Sequence, residues 1–196
     1  MEQILQSLES VSTPSPATEQ YPTPPGIAAE VIHFAHGRGD VAGRSVVDLG
    51  CGNGVLAIAA KLSGAVRVLG VDVDPESIEV ARRNAEHAEV EVEWILADVH
   101  SVHEPFDTVV MNPPFGAQTR HADRPFLDAA MAVGRVVYTF LNPKSEEFVR
   151  RRIEAIGGHV TDRLEYGFPI SHMFPFHRHE VRVQDALLYR VAVAKG

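Results

Sequence analysis

Short apolar runs rich in β-branched residues recur from Ser45 onward, most of them separated from the next by a segment of helical spacing. Runs at 45–49, 66–72, 90–96, 106–111 and 136–141 read as strands, and 55–62, 75–87, 123–133 and 145–156 as helices. Strands joined through helices cannot pair as hairpins. They lie parallel, linked by right-handed crossovers, in a sheet covered on both faces. Residues 159–165 and 184–193 add two strands with no helix between them, which predicts a terminal antiparallel hairpin. The expected fold is α/β, a doubly wound sheet of seven strands, mostly parallel, ending in that hairpin.

A chain of 196 residues with 45% hydrophobic content suffices for one domain with its own core. Residues 1–10 have a weak helical pattern through Ile4, Leu5 and Leu8, and 12–18 are polar and proline-bearing. Residues 1–18 therefore read as a flexible lead-in to a single domain over 19–196. Thr23 is placed to cap a helix, with Pro24 at its first position, running to about residue 36. No apolar run approaches the ~18 residues of a membrane span, and residues 1–20 lack the basic and apolar blocks of a signal peptide. A cytoplasmic location is expected. Cys51 is the sole cysteine, which excludes an intramolecular disulfide and any multi-cysteine metal site.

The first strand runs into Asp48-Leu49-Gly50-Cys51-Gly52-Asn53-Gly54 and then a helix. Gly50 and Gly52 let a ligand lie against bare backbone, as in the dinucleotide turn of Rossmann-like folds. Asp48 ahead of the turn would repel a diphosphate but suits a cationic amino-acid group. Asp72, at the end of the second strand, is placed to accept from a ribose diol. Asp98 and Val99 follow the third strand, where they can meet an adenine. In register, these residues read as a site for S-adenosylmethionine. A hydride-transfer enzyme would carry G-x-G-x-x-G, which is absent from this turn.

Asn112-Pro113-Pro114-Phe115 follows the fourth strand, where open α/β sheets place their ligands. Asn-Pro is also a common turn opener. The two prolines fix φ and bar a helix, so the Asn112 side-chain oxygen and the Pro113 carbonyl become fixed acceptors. Two such acceptors suit the N–H bonds of a planar amine, with Phe115 as a stacking plate for a base taken out of its helix.

These two segments resemble motif I and the Asp/Asn-Pro-Pro-aromatic motif of class I methyltransferases acting on amino or amide nitrogen. Glu19-Gln20-Tyr21-Pro22-Thr23, Asp98-Val99, the run from Phe106 through Asn112 to Gly116, and Phe176-His177 are similar to the methyltransferase-like-five family. That family makes N6-methyladenosine in small-subunit ribosomal RNA, and the resemblance extends over nearly the whole chain from Glu19. It implies that Gln20 and Thr23 close over the cofactor, with Gly50, Asn53, Val55, Asp72, Asp98 and Val99 lining it. It also implies a small zinc-binding activator, Trm112, added at the sheet edge.

The net charge of −8 is unlike that of a general nucleic-acid binder. The charge is uneven, however: residues 1–105 carry 6 Lys/Arg against 16 Asp/Glu, whereas 106–196 carry 12 against 10. Arg120, His121 and Arg124, with His177 and Arg178, are the candidates for RNA contact. Arg150-Arg151-Arg152 reads first as a solvated helix face. His172, His177 and His179 lack ordered spacing and carboxylate partners and read as a substrate loop, and no metal is expected. Methylation of a protein glutamine is the alternative activity, since the same motif grips a primary amide. A non-catalytic partner with this fold is a third reading.

Overall fold

The computed structural model describes residues 1–11, 22–114, 124–170 and 182–194, with the backbone only at 169, 170 and 182. Among these residues seven strands form one sheet: β1 (Ser45–Leu49), β2 (Arg67–Asp72), β3 (Glu93–Leu96), β4 (Phe106–Met111), β5 (Gly134–Leu141), β6 (Gly158–Ile170) and β7 (Arg182–Val193). Their order is β3-β2-β1-β4-β5-β7-β6. The first five are parallel, and β7 runs antiparallel to both β5 and β6. The doubly wound sheet with its terminal hairpin is thus the fold observed.

Side-chain alternation along the strands sorts the core into two layers. Val46, Val68, Val110, Tyr138 and Leu188 face α1 (Glu2–Gln6), α2 (Pro25–Gly37), α3 (Val55–Leu62) and α4 (Pro75–His87). Val47, Leu49, Leu69, Val109 and Met111 face α5 (Arg124–Val133) and α6 (Glu146–Ala155). The chain winds outward from β1 through β2 to β3, then crosses to β4 on the other side of β1. That reversal opens a crevice beyond the carboxyl ends of β1 and β4. Asp48 stands opposite Gly70 of β2 and Val110 of β4, so the turn after β1 emerges beside Asn112.

Four expectations need correction. Residues 1–11 are not a lead-in: Leu5 is fully buried beneath α2 and α3, and Glu9 is bonded to Asn84 and Asn53. Thr23 does not cap α2; Pro24 holds the cap position, with no side-chain bond. Strand β3 begins at Glu93 rather than 90, because Glu89 turns left-handed (φ 55°) and the Val90 N–H bonds back to Ala85 O, closing α4. The hairpin is longer than expected because β6 and β7 stay paired out to Ile170 and Arg182, with Tyr166 and Phe168 packed on Phe140.

Candidate active site

The turn after β1 hangs from the end of β2. The N–H groups of Gly50 and Cys51 both donate to Val71 O, at 2.8 and 3.0 Å, and the Gly52 N–H donates to Asp72 Oδ2 at 2.9 Å. Gly50 and Gly52 both have positive φ, +73° and +52°. A Cβ on Gly50 would lie 2.8 Å from the Phe126 ring, so packing as well as conformation demands glycine there. Among the described residues, a Cβ on Gly52 would meet nothing within 4 Å. Against those residues this is the open side of the turn, where a ligand can approach backbone.

Beneath the turn lies Asp48, 1% exposed. Its Oδ2 accepts from the Ala57 N–H at 3.1 Å, whereas Oδ1 has no hydrogen-bond partner among the described residues. Burial, reinforced by the nearby charge of Asp72, pushes its pKa up to about 8. A buried carboxyl with one idle oxygen suits a cationic or hydrogen-bonding group from a ligand. Asp72 is also buried and its pKa is raised by that burial. Both its oxygens accept backbone N–H bonds, from Gly52 and from Asp74.

Asp98 is exposed and its Oδ1 accepts from the His100 N–H at 2.8 Å, capping the short helical turn Val99–Ser101. The Val99 side chain is buried in the α5 layer. Val55 is likewise buried as the first residue of α3. Asn53 does not turn its amide into the crevice: Nδ2 donates to Glu9 O at 3.0 Å. Cys51 is buried, and burial pushes its thiol up, so it is a poor nucleophile.

Asn112 follows β4, half-buried, with Pro113 buried behind it. Its Nδ2 donates to Thr23 Oγ1 at 3.1 Å. Arg124 opens α5 and lays its guanidinium 4.4 Å from the Phe148 ring centroid. Arg150, Arg151 and Arg152 are ion-paired with Glu147, Glu154 and Asp128. Gln20, Phe115, Arg120, His121, His177 and Arg178, with the other histidines of the 172–179 stretch, lie outside the described residues. Among the described residues no group of three His, Cys, Asp or Glu side chains could hold a metal ion, and no helix is long and apolar enough to cross a membrane.

The structure thus gathers Thr23, Asp48, Gly50, Gly52, Asp72 and Asn112 at one end of the sheet and turns Asn53 away. Sequence reasoning missed Phe126 and Asn84. Phe126 looks like any apolar residue of α5 until its contact with Gly50 is known. Asn84 carries one signal in the sequence, a polar residue on the buried face of an amphipathic helix.

Residues 33–133 match the model of the methyltransferase small domain family. An uncharacterised protein of Methanocaldococcus jannaschii is 37% identical, over 97% of this chain and 92% of its own length. The rRNA N(6)-adenosine-methyltransferase Mettl5 of Drosophila melanogaster is 35% identical over 89% of this chain and 87% of its own. A solved structure from Pyrococcus horikoshii, described as that of a candidate RNA methyltransferase, superposes with a TM-score of 0.90 at 35% identity, covering 99% of this chain and 96% of that one.

Proposed function

Since this chain belongs to the methyltransferase small domain family, we propose that it methylates the exocyclic N6 amine of an adenosine in small-subunit ribosomal RNA, with S-adenosylmethionine as donor. The observation that carries this reading is the place of Asn112: a fixed amide at the carboxyl end of β4, beside a glycine turn over a buried carboxyl with an idle oxygen. Near full-length likeness to Drosophila Mettl5 supports adenosine in rRNA as the acceptor.

Bound in the crevice, the cofactor supplies an electrophilic methyl group on a sulfonium. The chain's residues fit it. Asp48 Oδ1 accepts from the amino-acid ammonium, and Gly50 and Gly52 lie against the cofactor with bare backbone. Asn53 and Val55 take part through their backbone at the start of α3. Asp72 accepts from the ribose hydroxyls with the lone pairs its backbone bonds leave. Asp98 and the Val99 backbone meet the adenine, and Gln20 and Thr23 cover the site.

An adenine amine is a weak nucleophile because its lone pair is delocalised into the ring. Asn112 Oδ1 and the Pro113 carbonyl accept its two N–H bonds, favour pyramidalisation and stabilise the positive charge that develops on transfer. They would also orient the nitrogen toward a bound cofactor. Pro114 stiffens the turn and Phe115 stacks on the flipped base, a contact typically worth ~1–3 kcal/mol. No general base is needed, because the proton leaves to water after transfer. Arg120, His121, Arg124, His177 and Arg178 contact RNA phosphates.

A Trm112-type partner fits the outer edge of β3. That strand pairs only with β2 among the described residues and exposes Ile95 and Leu96, at 45% and 55%. The same reading puts the enzyme in the cytoplasm.

The test is transfer of labelled methyl from S-adenosylmethionine to unmethylated ribosomal RNA, with and without Trm112, followed by nucleoside analysis. Label in N6-methyladenosine that is lost in Asn112→Ala is the expected result. Label confined to a protein fraction would move the assignment to glutamine, and no label with either acceptor would reject catalysis.

A further inference from the structure

Trp94 is the sole tryptophan of the chain, and two glycines make room for it. In β3 it stands beside Gly70 of β2, which in turn stands beside Asp48 of β1. Residues aligned across a parallel sheet project to the same face, so Asp48 and Trp94 reach into one layer with no side chain between them. A Cβ on Gly70 would overlap Cζ3 and Cε3 of the indole, with Cys51 Sγ 3.2 Å away. A Cβ on Gly54 would lie 2.6 Å from Cη2 of the same ring and 3.1 Å from Ala81 Cβ. The six-membered ring of the indole thus lies against the backbone of β2 and against the last glycine of the turn after β1.

Gly54 governs how that turn passes into α3. It caps the helix at φ +83°, its N–H donates to Cys51 O at 2.8 Å, and its carbonyl accepts from the Ile58 N–H at 2.9 Å. The neighbouring Ala57 N–H is the donor to Asp48 Oδ2. A shift of Gly54 therefore moves the start of α3 and the group that holds Asp48. Trp94 is half-buried and also lines an open groove with Lys61, Arg82 and Val90, so it is a wall of the turn rather than part of the deep core.

We infer that Trp94 is a positioning residue for the cofactor: its indole backs the glycine turn and sets where Gly54 and the start of α3 stand. The inference rests on reading this turn as the cofactor site.

The test is titration calorimetry with S-adenosylhomocysteine, which needs no turnover. Trp94→Leu keeps an apolar residue on the strand and withdraws the ring, and is expected to raise the Kd roughly tenfold. Gly70→Ala, at a backbone that is not left-handed, pushes the indole aside and should raise the Kd by a similar factor. In the double variant the methyl enters the vacated space, so the Kd should be no higher than in Trp94→Leu alone, whereas independent effects would multiply to about a hundredfold. Leu188→Ala truncates the same layer on β7 and should lower the melting temperature with the Kd unchanged. In methyl transfer, Trp94→Leu should raise the cofactor KM and leave kcat at saturating cofactor within about twofold.

An unchanged Kd in folded Trp94→Leu overturns the inference. So do effects that multiply in the double variant, or a Kd raised as much by Leu188→Ala. Gly52→Ala tests the underlying reading separately: wild-type binding that this variant leaves unchanged would reject the turn as the cofactor site, and the inference with it.

Discussion

Asn84 brackets the backbone of Glu9 as a paired strand would. Its Oδ1 accepts from the Glu9 N–H at 2.8 Å and its Nδ2 donates to Glu9 O at 3.0 Å. The same Nδ2 donates to Asn53 O in the glycine turn, and Asn53 Nδ2 also bonds Glu9 O. The first eleven residues are therefore fastened to the cofactor turn by two asparagines, with Leu5 as the apolar anchor below.

Asn84→Ala should release that fastening. It leaves the Glu9 N–H and the Asn53 carbonyl, both half-buried, without their partner and removes a buried side chain, a loss of roughly 1–3 kcal/mol. Urea unfolding would read it as a lower midpoint at an unchanged slope. The freed turn should also raise the cofactor Kd. Arg83→Ala removes only an exposed ion pair with Glu9 and should cost less than about 1 kcal/mol.

The buried Asp48 makes cofactor affinity depend on pH. Without a cation beside it, its pKa is about 8, above the ordinary 3.8. The ammonium of S-adenosylmethionine needs the carboxylate, so binding releases a proton below pH 8. The Kd should fall as pH rises toward 8, by up to about tenfold per unit, and rise again above it as the ligand's own α-amino group loses its proton. Stability of the free protein runs the other way. A folded-state pKa raised by burial contributes stability that is whole below 3.8 and is lost as pH rises through about 8. Asp48→Asn should flatten both profiles and weaken cofactor binding. Titration calorimetry and thermal melts between pH 6 and 9 would check this, and a pH-independent Kd in wild type would refute the role of Asp48.

Gly50 and Gly52 should respond differently to the same methyl group. Gly50→Ala drives a Cβ to 2.8 Å from Phe126 at a positive φ, and should destabilise by roughly 2–4 kcal/mol from overpacking and left-handed strain. Gly52→Ala meets none of the described residues and should lose only ~1–2 kcal/mol from strain. It should nonetheless raise the cofactor Kd roughly tenfold or more, because the methyl occupies the face where the ligand meets backbone. Melting temperature and Kd measured on both variants would separate the two effects.

These contrasts follow what was legible in the chain. Strands β1 and β4 and helix α4 were readable to the residue, because the β-branched runs there end at Gly50 and at Asn112-Pro113 and Pro75 opens α4. That Asp48, Asp72 and Asn112 lie at one end of the sheet was readable because each stands within one residue of a strand's carboxyl end, and those ends share one side of a parallel sheet. Local rules failed where a side chain spends its bonding on a distant partner. Thr23 carries the signature of a cap and uses its hydroxyl on Asn112. Asn53 stands inside a cofactor motif and uses its amide on Glu9. Residues 90–92 look like strand because nothing short of the Glu89 backbone angle reveals that α4 is still closing.

The other end of the sheet provides the contrasting case. Asp40 accepts from Tyr138 Oη at 2.6 Å and from Arg190 Nε at 2.8 Å, and its carbonyl accepts from Thr108 Oγ1. This cluster ties the entry to β1 to strands β4, β5 and β7, with Arg190 only 15% exposed. Thr108 lies four residues before Asn112, or about 13 Å along an extended strand. Asp40→Ala should leave Arg190 short of its main counter-charge and cost roughly 2–4 kcal/mol. Asp40→Asn, which can still accept from Tyr138, should cost less. Because the cluster is a strand's length from the crevice, the fraction of Asp40→Ala that stays folded should bind cofactor with wild-type affinity. Calorimetry at 15 °C, below the shifted melting point, would test that, and a raised Kd there would mean that the two ends of the sheet are coupled.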